Sequence, residues 1–176
     1  MTTSNCVEYN SYVVDKYRIL DDIDSSILNI IQNNARITNA EIARRVKMAP
    51  SGVLERVRKL EKRGIIRGYE ARLDAEAAGK GLIAFLFIKT DESVGETGVP
   101  KRIAEIPEVL EVHTISGEDC YLVKLRVGSA KELSRLMKER FGKLKSIRAT
   151  RTTIVLETFK ETGIIPLGIS KTKASK

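Results

Sequence analysis

At 176 residues the chain has room for one large domain or two small ones, and a balance of 42% hydrophobic and 31% charged residues excludes global disorder. No apolar run approaches the roughly 20 residues that span a bilayer. Two cysteines far apart, Cys6 and Cys120, argue against a disulfide framework or a zinc site, and a lone histidine, His113, leaves little for metal or acid–base chemistry, so neither an enzyme nor a cofactor is expected. The net charge of +8 favours a polyanionic partner, and the excess is local: from Asp24 to Glu70 there are ten Lys or Arg against five Asp or Glu.

Residues 1–18 show no sustained periodicity and carry neither the basic start nor the apolar core of a signal peptide. They read as an extension ahead of the first domain, and the protein as cytoplasmic. The first domain is expected over 19–70. In "LDDIDSSILNIIQNN", Ile23, Ile27, Leu28, Ile30 and Ile31 recur at helical spacing behind Asp21, a helix cap by residue type. "ITNAEIARRV" has the capping-box spacing Thr38 to Glu41, then Ile42, Ala43 and Val46 on one face. "APSGVLERVRKLEKRG" opens with Pro50 and closes at Gly64, with Val53, Val57 and Leu60 as its inward stripe. "IIRGYEARL" reads as a short strand, and a linker is expected over 71–81.

A second domain is expected over 82–167, ahead of a basic tail over 168–176. "LIAFLFIKT" reads as a strand and "TGVPKRIAEIPE" as a helix. "VLEVHTISG" and "CYLVKLRVG" read as two strands joined across Gly117, Glu118 and Asp119. "SAKELSRLMKERFGKL" predicts a helix capped by Ser129 and Glu132, and "SIRATRTTIVLETF" a final strand. This βαββαβ order is ferredoxin-like, so the fold class is α+β: an N-terminal winged helix-turn-helix domain followed by a ferredoxin-like domain. Because Leu82–Ile88 is apolar on both faces while that fold covers only one, a second subunit is expected over the open face.

The basic stretch in the first domain carries the chemistry. In a helix-turn-helix the second helix enters the major groove of double-stranded DNA, so its inward face must be apolar, its leading residues short and its flanks basic. Val53, Val57 and Leu60 meet the first demand and Ser51 and Gly52 the second, with Leu54 and Glu55 near base-edge height. Arg56, Arg58 and Lys59, together with Arg44, Arg45 and Lys47 around the turn, meet the third.

The run "DIDSSILNIIQNNARITNAEIARRVKMAPSGVLERVRKLEKRGIIRGYEARLD" resembles the N-terminal domain of the Lrp/AsnC transcriptional regulators. "VLEVHTISGEDCYLVKLRV" and "RATRTTIVLETFKET" resemble that family's C-terminal regulatory domain, so the likeness extends from about Leu20 to Leu167. It implies a homodimer assembling further into tetramers or octamers, palindromic DNA half-sites, and an amino-acid effector. By position the family's effector loop maps onto Gly117, Glu118, Asp119 and Cys120, with the last strand contributing around Thr150 and Thr152. Cys120 stands where many members carry aspartate, and Ala49 stands where a serine usually caps the recognition helix, a loss of about 1 kcal/mol. An effector-independent architectural DNA-binding protein of the same fold is the alternative. An RNA-recognition sheet is disfavoured because the strands from Val109 to Val127 offer only Tyr121 for base stacking.

Overall fold

The computed structural model describes residues 20–93 and 96–168, and the chain divides into two units, 1–71 with 162–176 and 72–161. The extension expected over 1–18 and the basic tail beyond Gly168 lie outside the described residues.

The first unit is built on three helices: α1 Asp22–Asn33, α2 Asn39–Val46 and α3 Pro50–Lys62. Both caps expected here form. Asp21 Oδ1 accepts from Asp24 N at 2.7 Å and Thr38 Oγ1 from Glu41 N at 3.2 Å, satisfying amides that a helix start leaves orphaned. The α2–α3 turn is only Lys47, Met48 and Ala49, and it reverses because Lys47 adopts the left-handed region at φ 55°. Ile27, Ile42, Val53 and Leu60 are essentially fully buried in the shared core, each worth about 1.5–3 kcal/mol against exposure.

Two expectations for this unit are corrected. Residues 65–73 do not form a strand. The amides of Ile65 and Ile66 bond back to Leu60 O, closing α3, and among the described residues no neighbouring strand completes a ladder for those that follow. The segment 162–167, expected to end the second domain, belongs to the first unit: Gln32 Nε2 donates to Ile165 O at 3.1 Å, Gln32 Oε1 accepts from Ile165 N at 2.7 Å, and Leu167 packs on the helical core.

The second unit runs β1 Leu82–Thr90, α4 Gly98–Ala104, β2 Val109–Thr114, β3 Tyr121–Val127, α5 Ala130–Glu139 and β4 Ile147–Ile154. The sheet order is β2-β3-β1-β4 with every pairing antiparallel, which is the expected ferredoxin-like arrangement. Ala84, Leu86 and Ile88 of β1 and Val123, Leu125 and Val127 of β3 meet Ile103, Leu133, Leu136 and Phe141 in the core. The last strand stops at Ile154, short of the expected Phe159. Val155 N donates to Ile83 O near the start of β1, after which the ladder runs out, and Leu156 and Phe159 are left more than nine-tenths exposed.

The opposite sheet face carries Ile83, Phe85, Phe87 and Leu122, as the two-sided apolarity of β1 requires, but it is partly screened. Glu161 accepts from Lys124 Nζ at 2.5 Å and Arg126 Nη2 at 2.7 Å, and the Arg151 guanidinium lies 4.0 Å from the centre of the Phe87 ring. Long cationic side chains thus lay their stems and charge across apolar surface.

Candidate functional site

Helix α3 presents a continuous outward stripe. Ser51, Glu55, Arg58 and Lys62 recur at intervals of four, three and four residues and are all exposed, while Val53, Val57 and Leu60 face the core. Leu54 and Gly52 border the stripe half-buried. Lys62 is absent from the sequence-predicted set, although its i+4 spacing from Arg58 was the signal for it. Ala49 makes no side-chain cap, so the first turn of α3 begins with amides left for another partner, next to Pro50, which has none to satisfy.

The cations around this stripe differ in how tightly they are held. Arg44 and Arg45 share Glu41 at 2.7 and 3.0 Å, and Lys59 pairs with Glu55 at 2.7 Å. The Arg44 and Arg45 hydrogen bonds hold the Glu41 carboxyl below its ordinary range, and Lys59 does the same to Glu55. The three cations are exposed and such pairs are worth little individually, so exchanging a carboxylate for a phosphate costs little. Arg58 has no ion-pair partner among the described residues, and Lys47 is exposed on the turn.

Arg56 departs from expectation. Its helical neighbours at i−4 and i+4, Gly52 and Leu60, place it beside the core stripe and away from the outward face. Its Nη1 donates at 2.7 Å both to Asp21 Oδ2 and to Asp24 Oδ1 of α1.

In the second unit, Gly117 takes φ 128° in the β2–β3 connection, a conformation that glycine supplies without strain. The connection is pinned by Cys120 N to Ile88 O at 2.8 Å and Ile115 N to Cys120 O at 3.1 Å. Cys120 packs against the core as a small apolar residue, and Glu118 is exposed. Asp119 Oδ2 accepts from Arg151 Nη2 at 3.1 Å. Thr150 and Thr152 pair with Ile88 and Leu86, whose side chains enter the helix-covered core, so alternation puts both threonines on that side of the sheet and Arg151 on the other. The loop acid therefore meets Arg151, a residue missing from the predicted set, and not the threonines. Among the described residues no group of three or more His, Cys, Asp or Glu is arranged to hold a metal, and no helix is long and apolar enough to cross a membrane.

Comparison with known proteins gives this geometry its context. Residues 20–67 match a winged helix-turn-helix DNA-binding family and residues 83–165 match the Lrp/AsnC ligand binding domain. HTH-type transcriptional regulator FL11 of Pyrococcus horikoshii is 34% identical over 148 residues, covering 84% of this chain and 97% of that protein. The chain belongs to the Lrp/AsnC family of transcriptional regulators. Among its Lrp/AsnC relatives, the HTH-type transcriptional regulator LrpA of Mycobacterium tuberculosis is 38% identical over 140 residues, covering 80% of this chain and 92% of that one. The feast or famine regulatory protein of M. tuberculosis complexed with L-methionine superposes with a TM-score of 0.78 at 35% identity, covering 85% of this chain and all of that one. Lrp/AsnC members are transcriptional regulators and not enzymes.

Proposed function

We propose that this Lrp/AsnC regulator binds DNA as a dimer or higher homo-oligomer, with α3 in the major groove and an amino acid bound at the second unit setting its affinity. The observation that carries the reading is the exposed stripe Ser51–Glu55–Arg58–Lys62 on a helix whose other face is core. In this arrangement Ser51, Leu54, Glu55 and Arg58 stand at base-edge height. Lys47 neutralises phosphate directly, Arg44, Arg45 and Lys59 after releasing Glu41 and Glu55, and cation release supplies most of the affinity. Joining two copies through the open sheet face would bury Phe85, Phe87 and Leu122 and present two reading helices to a palindromic site.

The effector reading is supported by the family match to a ligand binding domain and by the relative complexed with L-methionine. In this chain the local chemistry is a glycine turn, with Glu118 and Asp119 for an ammonium group and Arg151 for a carboxylate. Fluorescence anisotropy with labelled genomic fragments selected by the protein tests the whole scheme. Arg58→Ala with Lys59→Ala should weaken binding and flatten its salt dependence, and unchanged affinity and slope would refute the assignment of α3. Titrating each standard amino acid into the complex should shift the affinity for at least one. No shift in affinity or thermal stability with any of them would identify an effector-independent DNA-binding protein.

A further inference from the structure

Arg56 sits on the reading helix yet is spent on α1. One nitrogen, Nη1, reaches two carboxylates at 2.7 Å each, and these come from Asp21 and Asp24, one turn apart at the start of α1. Asp24 is a buried charge with a side chain only 13% exposed, so withdrawing Arg56 toward a phosphate would strand a carboxylate in the protein interior. Asp21 is anchored as well: while Oδ2 takes Arg56, Oδ1 caps the amide of Asp24, which fixes the side chain against the helix end. The positive N-terminal end of α1 favours both carboxylates where they are. Asp21 and Arg56 are thus each held by a second interaction and Asp24 by its burial, whereas Arg44, Arg45 and Lys59 are exposed and pair with carboxylates on their own helix.

We propose that Arg56 serves DNA recognition as a positioning residue, fixing the angle of α3 against α1 through Asp21 and Asp24, and that it neutralises no phosphate. The inference rests on α3 being the reading helix. Only a helix held at one angle can keep Ser51 and Arg58 in register with base edges along the groove, because hydrogen-bond readout fails with small misplacements. Loosening the triad degrades discrimination between sites and leaves the number of neutralised phosphates unchanged.

Salt dependence separates the two roles, since each phosphate contact contributes about 0.9 to the slope of log affinity against log salt. With full-length protein, Arg56→Gln should weaken binding to a selected site by on the order of tenfold while binding to random duplex and the salt slope stay as in wild type. Asp21→Asn with Asp24→Asn should lose discrimination in the same way, and Arg56→Lys, able to keep one of the two contacts, should recover part of it. A slope flattened by about 0.9 in Arg56→Gln, with the aspartate variant unaffected, would overturn the proposal in favour of a phosphate contact. Should Arg56→Gln fail to fold, Asp21→Asn decides alone. Asparagine retains the cap, so reduced discrimination at unchanged slope supports the triad and unchanged discrimination overturns it. Arg58→Ala runs alongside: if it alters neither affinity nor slope, the assignment of α3 itself has failed, whatever Arg56 does.

Discussion

Gly128 closes β3 one residue before the cap of α5, and a methyl group there has nowhere to go. A Cβ built at this position would lie 2.6 Å from the carbonyl oxygen of Gly79 and 3.0 Å from Glu132 Oε2, which itself accepts from Gly128 N at 2.8 Å and lies in the carboxylate paired with Lys80. An unstrained carbon–oxygen approach is about 3.3 Å, so the turn carrying Gly79 must retreat by roughly 0.7 Å. Overpacking of this kind costs about 1–3 kcal/mol, and the obstacle is backbone, which cannot rotate aside as a side chain would. At about 4–8 °C per kcal/mol for a domain of this size, Gly128→Ala should lower the melting point of the second unit by on the order of 10 °C. Calorimetric melting of the full chain measures it, with Gly142→Ala as the internal control because its nearest obstacle is an ordinary 3.5 Å contact. A Gly128→Ala melt within a degree or two of wild type, or an equal loss in the control, would refute the close-approach reasoning.

Two other predictions concern the first unit. Ala49→Ser should restore the missing cap on α3 and raise stability by about 1 kcal/mol, seen as a higher urea midpoint at unchanged slope; no change would mean that the first turn already has its partner. Asp21 is held below its ordinary value of 3.8 chiefly by the Asp24 amide, with burial opposing and the Arg56 hydrogen bond and charge adding less. A carboxyl lowered in the folded state contributes stability above its unfolded value and loses it as pH falls through the folded one. Acid titration below about pH 4 should therefore destabilise wild type more steeply than Asp21→Asn. Parallel curves would show that the cap and the Arg56 contact together do not lower the Asp21 carboxyl.

Helix periods and caps were readable because both are local. Asp21, Thr38 and Ser129 each accept the amide three residues on, as their spacing implied, and the core residues Ile27, Ile42, Val53, Val57 and Leu60 follow from which positions share a helix face. Glu132 shows the margin of such reading: its carboxylate reaches the amide of Gly128, one residue beyond the reciprocal contact a capping box describes. The strand expected at 65–73 failed for the opposite reason. Strand formation is a property of a pair, and a single segment with suitable residues says nothing about whether a neighbour is available.

The same division runs through the site. Order, spacing and net charge of residues 38–64 determined a helix-turn-helix, because a short turn between two amphipathic helices leaves few ways to bury both stripes. They set Arg56 and Arg58 at different angles around α3, but not whether the inner one is held by a partner or left free for phosphate. Two aspartates more than thirty residues upstream decide that difference. Likewise the acidic loop and the threonines of β4 were legible as residues, but alternation along the strand and the register against β1 put Asp119 with Arg151 and the threonines on the other side. Sequence determines what each segment can bury; long-range pairing decides which charges remain to meet a partner.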